Sequence, residues 1–412
     1  MSAVLVLMGL LVLAYLGSFL MAGRTATGVG LPSGVEFAAL GFVLGPRVLG
    51  MVGGDTLTAF EPVVHVAIGW LAFAVGLNFG HAGGRSVRGG SVVFATFSAT
   101  LTGCAAAAAT WGAAAYLDAG ATTTERILLA GGIGAACAET TRHAVRWVLE
   151  RHGARGPLAD RLNELAHTDD FLPLLAVAFL FALAPVEGVG LALRAWQWPA
   201  VTVALGLVLG AGISLLVRTV IDAEDTWGLL FGVTLIGIGA SARLGLSTLT
   251  TCFFTGLATS LLSRHGPQLR AMVAPTERPV LLPALLLAGA RLDFRANVAL
   301  PWIAAAAIAA RIVAKIVIGW VLAAVSRPAR RGGALVGLSL LSSGALAMSI
   351  GLAFALRFPG SVGDTVLAVA ILSATIGEFV GPVRLRNALQ RAGELRATTS
   401  EAPPQDGLEG AA

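Results

Sequence analysis

Residues 304–322 read AAAAIAARIVAKIVIGWVL, an apolar stretch that carries two basic side chains, Arg311 and Lys315. About 20 consecutive apolar residues are enough to cross the hydrocarbon core of a bilayer as a helix. Ionisable side chains inside such a helix are costly, so they are candidates for a functional site. Lys315 is the single lysine of the chain, which calls for a physical reason.

The composition is that of a membrane protein. Hydrophobic residues make up 56% of the 412 residues and charged residues only 12%, whereas soluble domains carry about 25% charge. This composition excludes a cytosolic enzyme and a nucleic-acid-binding protein. The three cysteines lie in apolar stretches and predict neither disulfides nor a metal site. We therefore expect no enzymatic activity and no cofactor.

Apolar segments, about thirteen in number, predict an all-α polytopic membrane protein. They run roughly over 2–22, 34–50, 57–79, 90–117, 124–140, 163–184, 196–217, 226–244, 247–263, 279–291, 299–324, 333–356 and 363–382. Arginines are concentrated in alternate loops, and an excess of basic residues marks the cytoplasmic side. This pattern predicts a prokaryotic inner-membrane protein with its N-terminus outside and its C-terminus inside. The tail 397–412 is rich in Pro, Gly and Glu, which predicts disorder.

Two adjacent acidic residues, Asp169 and Asp170, precede the apolar run FLPLLAVAFLFAL. A helix that begins near Leu162 would place both aspartates about two turns in, below the headgroups. Two carboxylates this close cannot both ionise freely without a nearby cation. The pair therefore predicts a site that takes up either a proton or a metal cation. The alternative interpretation is an N-terminal helix cap at the membrane interface.

The two basic residues of the opening stretch share one helix face, because they are four residues apart. Arginine stays protonated in proteins, whereas a buried lysine can lose its proton. A site that must release a proton near neutral pH therefore cannot use arginine, which would explain Lys315; the alternative is that the single lysine lies there by chance. Either Glu139, a candidate for the ion- or proton-binding site itself, or Glu378, a candidate supporting charge, could pair with Arg311. The alternatives are a boundary residue beside Arg142 for Glu139, and a position near the end of its span for Glu378.

Glycine and hydroxyl residues interrupt the fifth and twelfth segments, and we predict a discontinuous helix in each. In the fifth segment the residues are Gly131, Gly132 and Gly134, with Thr140 and Thr141 following, and in the twelfth they are Ser342, Ser343 and Gly344. Non-helical backbone in a membrane must line a cavity or be buried in protein. Interrupted spans at matching places of two halves indicate a transporter site, and their opposite topology predicts inverted repeats. The alternative is that the glycines permit close helix packing.

In order and spacing, a set of motifs resembles the cation/proton antiporter superfamily, the sodium/proton exchangers and their relatives. The motifs are LPSGVEFAALGFVLGP, HVAIGWLAFAVGLNF, AVRWVLERHGARGPLADRLNELAHTDD, LLPALLLAGARLDF, ARIVAKIVIGW and ILSATIGEFVGP. The resemblance implies an antiporter domain over residues 1–396, in which two discontinuous helices cross. Core helices, roughly 90–184 and 299–384, would move against dimerisation helices, roughly 1–79 and 196–291.

The resemblance also implies a function and site residues. A homodimer in the lipid bilayer would exchange H⁺ for a monovalent cation, Na⁺ first, with K⁺ or Li⁺ as other candidates. In the electrogenic branch, Asp170 would bind the cation or a proton, and Asp169 would pair with Lys315. Thr140 or Thr141 matches the polar residue at the first crossover, whereas Glu139 departs from the family's pattern there.

Two other functions are also found among polytopic membrane proteins. A sodium-coupled organic-anion symporter of similar fold would need a solute cavity and cation sites rich in amides, and the sequence offers few such amides. An intramembrane aspartyl protease needs two aspartates that meet from different helices. Adjacent aspartates on one helix point apart, so the sequence favours the antiporter.

Overall fold

The computed structural model describes residues 33–82, 85–117, 122–185, 193–218, 223–295 and 297–395. The predicted first span and the predicted disordered tail lie outside these residues. The secondary structure described is helical apart from one short antiparallel hairpin, β1 (His81–Ala82) and β2 (Arg85–Ser86). Six of the described helices, together with one continuous helical stretch over Gly266–Arg291, are long and apolar enough to cross a membrane, and four shorter apolar helices accompany them.

The described helices coincide with the predicted spans from the second to the thirteenth, and those in the second, sixth and twelfth spans are shorter than predicted. In chain order they are α1 (Val35–Leu44), α2 (Gly54–Ala59), α3 (Glu61–Asn78), α4 (Gly89–Tyr116), α5 (Thr123–Ala138), α6 (Arg142–Arg151), α7 (Pro157–Leu165), α8 (Phe171–Ala182), α9 (Gln197–Leu216), α10 (Ala223–Leu244), α11 (Thr248–Leu262), α12 (Gly266–Val273), α13 (Glu277–Arg291), α14 (Leu300–Val325), α15 (Arg327–Arg331), α16 (Ala345–Arg357) and α17 (Ser361–Ala392). Short 3-10 helices lie at Ala274–Thr276 and Val336–Leu340. The prediction of an all-α polytopic membrane protein is confirmed, while the count of thirteen spans stays a prediction.

The membrane helices pack in two sets. The broken-helix group consists of α4, α5, α6, α8, α14, α16, α17 and the 3-10 helix Val336–Leu340. The flanking group consists of α1, α3, α9, α10, α11 and α13. Helices touch their own group much more extensively than the other one, and the contacts between the groups run mainly through α8 and α16.

Close backbone contacts hold the flanking group together. Gly76 of α3 lies against the carbonyl of Phe253, and Gly256 of α11 lies against the carbonyl of Phe73. A β-carbon at either glycine would collide with that carbonyl oxygen, so only glycine permits this approach. Small residues at helix contacts are the usual device for packing helices in a membrane, where no hydrophobic force drives them together.

Large apolar side chains also cover the outside of the helices. Trp302, Trp320 and Phe379 are each more than half exposed, on the same helices that form the interior of the protein. Such side chains are expected where a surface faces lipid instead of water. The apolar composition thus serves both the interior and the lipid-facing surface.

The helix that carries the two aspartates begins later than predicted. α7 ends at Leu165 and α8 begins at Phe171, so the expectation of one helix running on from near Leu162 is wrong. Pro173 provides a physical reason, because a proline inside a helix removes one hydrogen bond and clashes with the preceding turn. In the first turn of α8 its missing N–H costs nothing, since those N–H groups have no partner within the helix.

Candidate functional site

The first interruption follows α5. Glu139 and Thr141 have extended backbone conformations, and the chain becomes helical again at Arg142. The prediction that Gly131, Gly132 and Gly134 interrupt this span is wrong, because all three lie within the regular helix α5. They lie against Leu180, the Phe354 ring and the backbone of α4, respectively. Their role is close packing, which was the alternative interpretation.

The second interruption precedes α16. The 3-10 helix Val336–Leu340 ends, and the segment 341–344 leads into α16 at Ala345. Ser342, Ser343 and Gly344 therefore lie where the sequence predicts a break. Gly344 faces the Thr141 side chain so closely that a β-carbon there would collide with it.

These two interruptions bind each other directly. The N–H of Thr141 donates to the carbonyl of Ser342 at 2.9 Å, and the Thr140 hydroxyl donates to the carbonyl of Leu340 at 3.3 Å. The N–H of Gly344 donates to a carboxylate oxygen of Glu139 at 2.8 Å. All of these residues are buried, so each segment supplies partners for backbone groups that the other leaves without helical bonds.

Arg311 on α14 joins both interruptions. Its guanidinium donates to the hydroxyls of Ser343 and Ser373 at 2.7 and 2.8 Å, and to the carbonyls of Glu139 and Leu341 at 2.9 Å each. Arg311 thus contacts Glu139 through the backbone carbonyl of that residue. The predicted ion pair with the Glu139 carboxylate is not the contact that positions Arg311. The other predicted partner, Glu378, is buried beside Ser33 and Glu36 instead.

Lys315 lies one helical turn further along α14 and is completely buried. Its ammonium nitrogen, Nζ, donates to the Thr140 hydroxyl at 2.8 Å. The Asp169 carboxyl lies beside the same hydroxyl and interacts electrostatically with Lys315. Thr140 therefore stands between the acid and the amine, in place of the direct contact implied by the resemblance.

The two aspartates lie at the start of α8, and each is 4% exposed. Asp170 occupies the residue before the helix but makes no capping hydrogen bond with its side chain, which argues against the helix-cap interpretation. Within the described part of the chain, one Asp169 carboxylate oxygen has no hydrogen-bond partner. Buried acidic oxygens without donors are suited to accept a proton or a cation.

A cavity of about 540 Å³ opens next to this site, and we call it the arginine-rich cavity. Both helix groups line it, with Asn78, Glu277 and Arg278 on one side and Arg142, His143 and His167 on the other. It lies on the side that the arginine distribution predicts to be cytoplasmic. Arg142 lines the cavity and also interacts electrostatically with Asp170, so this one side chain connects the cavity with the acidic pair.

The sequence interpretation overlooked Glu277. This residue begins α13 and is buried, although it follows an arginine-rich loop. One signal was present: between Arg264 and Arg278, Glu277 is the one acidic residue. Its partners lie far away in the sequence, so that signal by itself could not identify them.

Comparison with known proteins agrees with this geometry. The profile of a family described as the sodium/hydrogen exchanger, transmembrane, matches residues 11–385. This chain is a member of the sodium/hydrogen exchanger family. The resemblance inferred from the motifs is thereby confirmed at the level of the superfamily. No curated protein matches the exchanger.

Solved structures show the same fold. The sodium proton antiporter MjNhaP1 from Methanocaldococcus jannaschii at pH 8 matches the exchanger with a TM-score of 0.68 and 14% identity, over 95% of this chain and 100% of that chain. An electron-microscopy structure of MjNhaP1 matches with a TM-score of 0.63 and 15% identity, over 95% and 99% of the two chains. At this low identity the likeness shows a shared fold.

Proposed function

We propose that the exchanger moves H⁺ in one direction and a monovalent cation, Na⁺ first, in the other, with Asp170 as the shared site. The observation that carries this proposal is the group of buried charges at the interruptions: two adjacent carboxyls and the one lysine. Two buried carboxyl groups, one of which has an oxygen atom without a hydrogen-bond partner in the described part of the chain, lie near a cavity lined by polar groups and form a site that a proton and a cation can occupy in turn.

Competition at one carboxyl accounts for the exchange. A proton or a cation on Asp170 lowers the charge of the site, whereas the empty site would carry uncompensated carboxylates through a medium of low dielectric constant. Moving uncompensated charges through such a medium is costly. The loaded states therefore cross and the empty state does not, and this difference couples the two ions.

Lys315 makes the proposed exchange electrogenic. When the cation arrives, its positive charge weakens the electrostatic interaction between Asp169 and the protonated amine. Lys315 then releases its proton, in addition to the proton displaced from Asp170. Release of two protons for one cation moves net charge across the membrane. An arginine in this position would remain protonated and could not contribute the second proton.

We further propose that the protein is a homodimer in which the broken-helix group moves and the flanking group stays in place. The interruptions, Lys315 and both aspartates belong to the broken-helix group, so the ion site would travel with it. The contacts between the two groups are few compared with those inside each group, which supports movement at this boundary.

The decisive test replaces Asp170 with asparagine. In everted vesicles with an imposed pH gradient, addition of Na⁺, K⁺ or Li⁺ should dissipate the gradient for the wild type and not for Asp170→Asn. Asp160→Asn is the matched control, because Asp160 is an exposed aspartate ten residues away on α7, and this variant should behave as wild type. Exchange at the wild-type rate in Asp170→Asn would remove Asp170 from the mechanism.

Currents on supported membranes test the electrogenic part separately. A jump in Na⁺ concentration should produce a transient current in the wild type that reverses with the direction of the gradient. Exchange that proceeds without a current would show equal proton and cation numbers, and the role proposed for Lys315 would be wrong.

A further inference from the structure

An ion pair connects the two helix groups inside the arginine-rich cavity. Nη2 of Arg142, at the start of α6, lies 3.0 Å from Oε2 of Glu277, at the start of α13. The two side chains are 11% and 7% exposed. His143 contacts the same carboxylate oxygen at 3.5 Å. Arg142 belongs to the broken-helix group and Glu277 to the flanking group, so any movement between the groups must change this contact.

Glu277 is held firmly within the flanking group. Its other carboxylate oxygen accepts a hydrogen bond from Asn78 at 3.4 Å. The neighbouring residue, Thr276, accepts a hydrogen bond from the indole of Trp70 at 2.8 Å. Glu277 is also the first residue of α13, where the helix dipole stabilises a negative charge. The flanking group therefore presents a fixed negative charge to Arg142.

Arg142 also faces a second acid. The charged groups that act most strongly on Asp170 are two carboxyls, Asp169 and Glu139, and one cation, Arg142. The groups that act on Arg142 are in turn Glu277 first, then Asp170. A guanidinium is permanently charged and pairs well with carboxylates, and its long side chain allows it to change partners. Arg142 is thus a tethered cation placed between two acids.

We propose that Arg142 is a built-in competitor for the cation at Asp170, and that Glu277 acts as a positioning residue that keeps Arg142 away from the ion site. This inference rests on the proposed function. While Arg142 is bound to Glu277, Asp170 is free to take up H⁺ or Na⁺ from the cavity. When the groups move apart, Arg142 is released and competes with the bound cation for Asp170.

A simpler interpretation is that the ion pair only holds the two groups together. The two interpretations differ in the behaviour of single variants. If the ion pair only holds the two groups together, loss of either partner breaks the same contact. Glu277→Gln and Arg142→Gln should then have the same effect on the apparent affinity for Na⁺. If Arg142 competes for Asp170, the two variants should change the apparent affinity for Na⁺ in opposite directions.

Proteoliposomes with a series of Na⁺ concentrations separate these outcomes. For Glu277→Gln we expect the KM for Na⁺ to rise about tenfold, the size of effect typical of one charged hydrogen bond, with a much smaller change in kcat. For Arg142→Gln, and for the double variant Arg142→Gln/Glu277→Gln, we expect a KM below the wild-type value. Glu277→Asp keeps the charge on a shorter side chain and should give an intermediate KM.

The matched control breaks a different ion pair of the same length. Arg291 and Glu61 lie 3.0 Å apart within the flanking group, so Glu61→Gln should leave the KM unchanged. Removing one partner of a buried pair is destabilising, so the double variant, which removes both charges, reports on Arg142 even where Glu277→Gln folds poorly.

The outcomes separate this inference from the proposed function. A wild type that shows no exchange with any monovalent cation overturns the proposed function. A wild type that exchanges Na⁺, together with single variants that shift KM in the same direction or not at all, overturns only the role of Arg142. An elevated KM in Glu277→Gln that persists in the double variant also overturns it.

Discussion

Lys315 is fixed by one hydroxyl group. The amine has no exposure to solvent or lipid, and the Thr140 hydroxyl accepts its hydrogen bond while donating to the carbonyl of Leu340. Asp169 lies beside the same hydroxyl. A side chain that bonds both to the amine and to the second interruption keeps Lys315 in place whether or not the amine carries its extra proton. In the proposed exchange, the fixed position of Lys315 allows its amine to lose the proton without a rearrangement of α14.

Replacing Thr140 with valine keeps the shape of the side chain and removes the hydroxyl. Hydrogen bonds to charged groups contribute about 1.5–3 kcal/mol, so the apparent Na⁺ affinity of Thr140→Val should fall roughly tenfold or more. Thr140→Ser retains the hydroxyl and should stay close to wild type. The apparent Na⁺ affinities of both variants and the wild type are measured from the dependence of supported-membrane currents on Na⁺ concentration. Wild-type affinity in Thr140→Val would show that the hydroxyl does not position Lys315.

At the scale of elements, the backbone of the 3-10 helix Val336–Leu340 packs directly against the backbone of α14. This contact places the second interruption beside Lys315. Gly337, in the 3-10 helix Val336–Leu340, lies against the carbonyl of Lys315 and the backbone of Gly319 on α14. A β-carbon at Gly337 would collide with that carbonyl oxygen, and the neighbouring atom is backbone, which cannot swing aside. The two glycines therefore set the distance between α14 and the interruption.

The variant Gly337→Ala should lower both stability and exchange. Overpacking of this kind costs about 1–3 kcal/mol, and the displaced segment carries the carbonyl groups that bind Arg311. Thermal unfolding in detergent, followed by tryptophan fluorescence, should give a clearly lower Tm than wild type. In the control Gly239→Ala, the new methyl group on α10 meets no atom within 4 Å, so the Tm should not fall. Equal Tm values for the two variants would contradict the packing argument.

At the scale of the whole molecule, α8 and α11 form part of the boundary between the two helix groups. The Thr250 hydroxyl on α11 donates to the carbonyl of Leu174 on α8 at 2.6 Å. Phe171, at the start of α8, packs edge-on against Phe253 and Phe254 of α11. If the broken-helix group moves during exchange, these contacts must slide or separate.

A disulfide across this boundary should stop the exchanger. In a background without Cys104, Cys137 and Cys252, oxidation of Leu174→Cys/Thr250→Cys should abolish Na⁺-driven proton movement, and reduction should restore it. The control pair is Asn297→Cys/Thr365→Cys, whose parent side chains bond at 3.3 Å within the broken-helix group. Its oxidation should leave exchange intact. Full activity of the oxidised boundary pair would show that these helices do not move apart.

Much of the fold and part of the site could be predicted from local sequence. The length of each apolar run indicates a membrane helix, because the thickness of the bilayer sets the number of residues needed. The same argument identified Asp169, Asp170 and Lys315, since the cost of a charge in the membrane depends mainly on where it lies along its own segment. The prediction that Gly131 interrupts its helix was wrong, because glycine occurs both where two helices pack closely and where a helix is interrupted.

Sequence alone thus determined that this is a multi-pass helical membrane protein with an acidic pair and one buried amine. Only the tertiary structure decided where the chain leaves the helix, that Thr140 separates Lys315 from Asp169, and that Arg142 binds Glu277. The physical reason is that partners distant in the chain stabilise these features. The backbone at Thr141 is extended because Ser342 accepts its hydrogen bond, and no residue near Thr141 in sequence encodes that contact.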